Sequence, residues 1–265
     1  MKKNKRLYFL NGRGAIEAIS LCAAIITWEI VADFIIRNPI KLPSPYAVFL
    51  SYLKLWEIIP VDIGISLLHF GIGLGAGAAV GITAGMLMGW FRVADRVFDP
   101  VVEILRPIPP LAWVPFAILW GGLTHYAAGF IVFIGAFFPI LINTYTGFRE
   151  VDKTYIDAAK VLGCKEERKL IKSVAFPFSL PYIATGIRIG MGVGWMCVVA
   201  AEMFGVSKSG LGFRLFQVFW PLHMIDKLVA YMIILGLVAL FLDRVFRYFV
   251  EERLFKWKKG IVIQK

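Results

Sequence analysis

Charge is scarce in this 265-residue sequence: Asp, Glu, Lys and Arg make up 18% of it and hydrophobic residues 59%. A water-soluble domain carries about 25% charged residues, because it must cover its surface. With a mean hydropathy of +0.73, this chain needs lipid as part of its solvent. Cysteine is sparse too. Cys22, Cys164 and Cys197 lie far apart, none sits in a CxxC spacing, and two fall in apolar runs, which argues against a disulfide framework or a cysteine metal site. The sequence has no HExxH or GxSxG, and its few acids are not paired in one membrane layer, so a membrane protease or transferase finds no support. It also lacks a GxxxxGK[ST] phosphate loop, so ATP is not expected to be bound or hydrolysed by this chain. Alternation over ~10 residues, the mark of a transmembrane β-strand, is missing from every apolar stretch.

What is present is length of apolar run. Six stretches, residues 16–36, 63–90, 101–120, 126–146, 181–204 and 227–249, approach or exceed the roughly 20 residues a helix needs to cross a bilayer. The expectation is an all-α membrane protein with six transmembrane helices: a tail over 1–15, a membrane domain over 16–250, and a second tail over 251–265. The third stretch holds Pro107, Pro109, Pro110 and Pro115, so its helix proper is expected to begin at Pro109 or Pro110 after an extended or kinked approach. Lys2, Lys3, Lys5 and Arg6 precede the first run as in a signal peptide, yet the run is too long and has no small-x-small cleavage site, which favours an uncleaved span. Twenty-two Lys and Arg fall on the side of the two tails and six on the other. By the positive-inside rule both termini are expected in the cytoplasm, and the net charge of +11 reads as a topology signal, with no nucleic-acid partner implied.

Smaller patterns sit on this frame. Gly73, Gly77, Gly81, Gly85 and Gly89 recur every fourth residue in the second span, and Gly186, Gly190 and Gly194 do so in the fifth. Such faces let helix backbones approach closely. Residues 46–59 read as a short amphipathic helix at the interface, and 205–221 as an external or re-entrant element. The most informative polar segment is 147–178. Asp152 suits the N-cap of a helix over 153–162, Gly163 suits the residue that ends it, and a second charged helix is expected over 165–174, stopping before Pro177. Ala158 and Ala159 keep one face of the first helix low, so that another surface can come close; a plain surface loop is the other reading.

Taken in order, these pieces resemble the permease subunits of binding-protein-dependent ABC importers, most of all the nitrate, sulfonate, taurine and bicarbonate branch. The resemblance rests on Asp157-Ala158-Ala159, Gly163 and Leu180-Pro181 in the cytoplasmic loop, and on Leu42-Pro43-Ser44-Pro45, Asp99-Pro100 and Arg106-Pro107-Ile108-Pro109. Pro139, Gly147-Phe148-Arg149, Gly186-Ile187-Arg188-Ile189-Gly190, Ala201-Glu202-Met203 and Gly210-Leu211-Gly212 continue it. Asp157 stands where the family usually has Glu, one methylene shorter, and Trp120-Gly121-Gly122 departs from the usual aromatic before the second glycine. The resemblance implies a type I importer permease fold (MetI-like) with a cytoplasmic coupling helix. It implies a homodimer of such chains as the pathway, two cytoplasmic ATPase subunits that hold ATP and Mg, and an external solute-binding protein. The helix from Asp157 to Gly163 is then the coupling helix that enters a cleft of the ATPase, with Leu180 and Pro181 completing the loop motif. A small anion such as nitrate, bicarbonate or a sulfonate is the implied solute, and no cofactor belongs to the chain itself.

Three polar residues within the spans stand out, since charge at membrane depth is costly and often functional. Arg188 lies near enough to the cytoplasmic end of span five to anchor there, with a role on an anion pathway as the alternative. Glu202 is expected to fix the 205–212 turn through hydrogen bonds, and His69 to be either a hydrogen-bonded packing residue or a solute contact. A stand-alone secondary transporter is the competing function, although the sequence has no persuasive inverted repeat.

Overall fold

A computed structural model describes residues 12–250. Both expected tails therefore lie largely outside the described residues, which are helical with no strand among them. Helix α1 (Gly12–Ile30) runs on through a wide π turn (Val31–Ile36) and stops where Arg37 takes a positive φ of 50° and donates its N–H to Ala32. Helix α2 (Pro45–Leu55) starts as its sequence dictates. Ser44 caps it by accepting the Ala47 N–H at 3.3 Å, and Pro45 takes the first-turn position where its missing donor is harmless. Then come α3 (Ile59–Trp90), α4 (Arg92–Leu105), a 3₁₀ turn (Pro110–Trp113) leading into α5 (Val114–Gly121), and α6 (His125–Arg149). Helix α7 (Lys153–Val161) is followed by α8 (Glu167–Leu170), a second π turn (Ile171–Ala175) and α9 (Phe176–Met203). The single turn α10 (Leu211–Phe213), a third π turn (Arg214–Phe219) and α11 (Ile225–Arg247) complete the order.

Among the described residues five helices are long and apolar enough to span a bilayer, and a bent pair brings the number to six. The bent pair bears out the kinked entry expected for the third span, whose helical part begins at Pro110, and corrects only its bounds. Residues 101–105 belong to α4, which turns by 91° into Pro110–Gly121. Arg92, Asp95, Arg96, Asp99 and Glu103 line α4, while Val93, Val97, Val101 and Ile104 form an exposed apolar stripe along it. That division suits a helix lying along an interface better than one crossing it. At ~1.5–2.0 Å per residue, Pro110–Gly121 extends only about 18–24 Å, short of a ~30 Å hydrocarbon core. The fifth span is corrected in the opposite direction. No break occurs before Pro177, and the apolar helix runs from Glu167 to Met203, 37 residues. The π turn explains this: Phe176 donates to Ile171, five residues back, and the wider turn moves away the carbonyl that the Pro177 ring would strike.

The described residues group into two compact units. One holds those up to Ile59 together with Arg214–Ile234, the other Pro60–Phe213 together with those from Leu235 onward. In the first, the Trp28 indole donates to the Pro43 carbonyl at 3.1 Å, the Ser51 hydroxyl to Asp226 at 2.7 Å, and the Tyr52 hydroxyl to the Ala230 carbonyl at 3.1 Å. The second is built around α6, whose Ala128, Ile131, Val132, Ala136 and Ile140 are sealed from solvent. Both glycine faces meet this one helix. A Cβ at Gly81 would sit 3.1 Å from the Phe137 carbonyl oxygen and one at Gly85 2.6 Å from that of Leu141; from α9, one at Gly190 would sit 3.0 Å from the Ala136 carbonyl oxygen. Gly73, Gly77, Gly186 and Gly194 continue the two seams against Val132, Ala136 and Ile140. Small residues are thus spent on packing within the chain.

Candidate functional site

A buried polar knot lies where α3 begins, α6 begins and α9 ends. Asp62, Ser66 and His69 occupy one face of the first turns of α3, and all are fully buried. Glu202, in the last turn of α9, is fully buried as well. Its carboxylate accepts the Ser66 hydroxyl at 2.9 Å, the Gly212 N–H at 2.8 Å, and His69 Nδ1–H at 2.8 Å. A carboxylate only accepts, so Nδ1 of His69 carries the proton, and Nε2 meets His125 Nδ1 at 2.8 Å. Ser66 in turn accepts the Leu211 N–H, and Asp62 the Gly210 N–H. Three successive backbone donors of the 210–212 turn are therefore held by side chains of α3 and α9. Gly210 has φ +133°, and a Cβ there would lie 2.6 Å from the Glu202 carboxyl carbon, so only glycine fits.

His69 and Glu202 are thus brought into one cluster. Arg188 is not part of it. Its guanidinium grips Asp243 of α11 with Nε at 2.8 Å and Nη2 at 3.3 Å, and Arg247 adds a further contact to the same carboxylate at 3.1 Å. This two-pronged geometry is one an ammonium cannot reproduce. The sequence reading missed Asp62, Ser66, His125 and Asp243 as partners. Two signals were available: polar residues at 62, 66 and 69 share one helical face, and Asp243 with Arg247 has the i,i+4 spacing of a helical ion pair.

The expected coupling residues gather at the other end of α6. Asp152 caps α7, accepting the Thr154 N–H and hydroxyl at 2.9 Å each. These two bonds hold the Asp152 carboxyl below its ordinary value of 3.8. The cap is therefore complete at any pH above the usual carboxylate range and fails only as pH falls through the lowered folded value. At the far end Gly163 has φ +93°, its N–H bonds the Lys160 carbonyl at 3.0 Å, and the Cys164 N–H bonds that of Ala159 at 2.9 Å. This is the paired closure of a Schellman motif. Asp157 and Ala158 are exposed, whereas Ala159 and Ile156 are half-buried and turn toward the chain itself. Val161 and Leu162 are 88% and 86% exposed. Leu180 and Pro181 lie inside α9 as half-buried helix residues; the aromatic contact linking α7 to this stretch is Tyr155 with Phe178.

Comparison with known proteins gives this arrangement a context. Residues 77–254 match the family described as the inner membrane component of binding-protein-dependent transport systems. A protein of Methanocaldococcus jannaschii assigned as an ABC transporter permease is 44% identical over 94% of this chain and 95% of its own length. A nitrate import permease of Synechocystis is 31% identical over 95% and 93%, and a bicarbonate transport permease of Synechococcus elongatus is 35% identical over 83% and 82%. These matches set aside the stand-alone secondary transporter. The chain belongs to the binding-protein-dependent transport family, as a multi-pass inner-membrane permease subunit of an ABC importer in the nitrate, sulfonate and bicarbonate branch, with no catalytic role of its own.

Proposed function

We propose that this permease carries a small oxyanion, such as nitrate, bicarbonate or a sulfonate, into the cell. Two copies form the pathway, two cytoplasmic ATPase subunits supply the energy, and an external binding protein delivers the solute. Residues 16–250 act as one permease domain with both termini cytoplasmic, and α7 is the helix on which the ATPase docks. Relatives named for nitrate and bicarbonate support the solute class. The docking role rests on one observation above all: α7 is closed at both ends by local hydrogen bonds yet presents Ala158, Val161 and Leu162 to solvent. Large apolar side chains this exposed on a charged helix outside the membrane call for a partner surface. Under this reading the knot around Glu202 is the external latch of the permease, and the glycine seams set its helix packing.

The test uses the assembled transporter in proteoliposomes. Ala158→Arg places a long cation on the free face of α7, and Gly163→Val strains the turn that ends it by about 1–3 kcal/mol. Both variants should keep the permease folded while losing bound ATPase, or while hydrolysing ATP without uptake. Asp157→Asn, which preserves size, should do less. Normal ATPase retention, binding-protein stimulation and uptake in both Ala158→Arg and Gly163→Val would defeat the docking role.

A further inference from the structure

A groove in the second unit carries a charge that no acid among the described residues neutralises. It encloses about 380 Å³ between the end of α4, the 3₁₀ turn, α6 and α9, within the ~300–1,000 Å³ typical of small-molecule sites. Arg106 and Asn143 are its polar residues, and Gly135, Pro139, Ile189 and Val193 form much of its apolar wall. No carboxylate lines it. Elsewhere in this unit Asp243 matches Arg188 and Arg247, and Asp95 matches Arg149. Among the described residues no acid pairs with Arg106, which leaves the full charge and the planar donor fork of its guanidinium available.

We infer that this groove is an anion-binding section of the transport pathway and that Arg106 is the residue that binds the passing anion. The inference rests on the oxyanion reading given above and assigns that reading a place. Three physical points carry it. Arg106 is the last residue before the 91° bend between α4 and Pro110–Gly121, and the prolines at 107, 109 and 110 stiffen the chain that follows, so the base of the side chain is fixed at the groove. The walls are otherwise apolar or uncharged, which concentrates the field of a lone cation. A guanidinium fork matches two oxygens of a trigonal or tetrahedral oxyanion at once. Asn143 adds a donor: its amide nitrogen uses one hydrogen on the Pro139 carbonyl at 2.8 Å and keeps the second. From Gly135 to Asn143 the groove follows α6 toward its Arg149 end, the cytoplasmic end in the proposed orientation, so a cation there draws an anion inward.

The experiment uses the complete transporter with its ATPase and binding protein in proteoliposomes, with nitrate, bicarbonate and methanesulfonate as probes and urea as a neutral control. Arg106→Gln should cut anion uptake and raise the half-saturating concentration by about tenfold, with ATPase association unchanged. Arg106→Lys should fall between, retaining charge without the fork. In an Arg106→Cys protein whose Cys22, Cys164 and Cys197 are replaced by serine, an aminoethyl thiosulfonate should restore uptake and a sulfonatoethyl one should not. Anion uptake by Arg106→Gln at the wild-type rate and half-saturating concentration would overturn the site while leaving the anion reading intact. Uptake of urea and none of the anions by the unaltered transporter would overturn both. Should Arg106→Gln fail to assemble, an equal effect of the two reagents on the assembled cysteine protein would overturn the site.

Discussion

Glu202 accepts from a serine and a histidine of α3 and from the backbone amide of Gly212, and none of them sees solvent. Removing that acceptor strands its donors in a low-dielectric interior, where each unsatisfied group costs about 1–3 kcal/mol. Glu202→Ala is therefore expected to destabilise the permease by on the order of 3–5 kcal/mol. Limited proteolysis should report the change locally, with cleavage within 205–212 appearing before cleavage elsewhere. Thermal unfolding in detergent should report it globally. A Glu202→Ala protein with unaltered melting and unaltered protease resistance would mean that the turn is held by something other than this carboxylate. The residue itself was legible as a candidate latch for the turn; the spacing of 62, 66 and 69 marks a shared polar face but does not say that Glu202, more than 100 positions away, is what that face meets.

At the scale of elements, the glycine repeats of α3 and α9 were plain in the sequence as close-packing faces, but the identity of their neighbour was not. Both seams close on α6, so their substitution acts first on the fold of the single chain. Gly85→Ala would push a methyl carbon to 2.6 Å from the Leu141 carbonyl oxygen, an overpacking that costs about 1–3 kcal/mol. Gly75, on the same helix but with no atom within 4 Å of the added carbon, should accept alanine without loss. Comparing the melting temperatures of the purified variants checks this. Equal behaviour of Gly75→Ala and Gly85→Ala would place the α3 seam against something softer than a backbone. The helix ends tell a similar story. Asp152, Gly163 and Ser44 acted where local chemistry placed them, while Pro177 failed to stop a helix because a π turn just before it absorbed the misfit.

For the whole molecule, the uneven distribution of Lys and Arg predicts an orientation that labelling can read. Cys164 follows the α7 turn and is half-buried, Cys197 is buried in α9, and Cys22 is exposed on the apolar α1. With termini and α7 in the cytoplasm, an impermeant maleimide should label Cys164 in inside-out vesicles and spare it in right-side-out ones. Single-cysteine variants at 22 and 197 should resist the reagent from either side, one set in lipid and the other in packed helices. Ready labelling of Cys164 from outside would reverse the orientation, and with it the side of the membrane assigned to the Glu202 knot.

By itself the sequence determined that the chain lives in a bilayer, that it is helical, where most spans lie, and which small motifs start and stop the elbow at α7. These are properties of composition, of local backbone conformation and of caps that act over four or five residues, so no distant contact is needed to decide them. Only the tertiary structure decided that α4 turns aside by 91°, that two glycine faces share one helix, that Arg188 is matched by Asp243, and that Arg106 lines a groove with no acid beside it among the described residues. Those outcomes depend on which helices become neighbours, and a pairing between distant segments is settled by packing and charge in three dimensions.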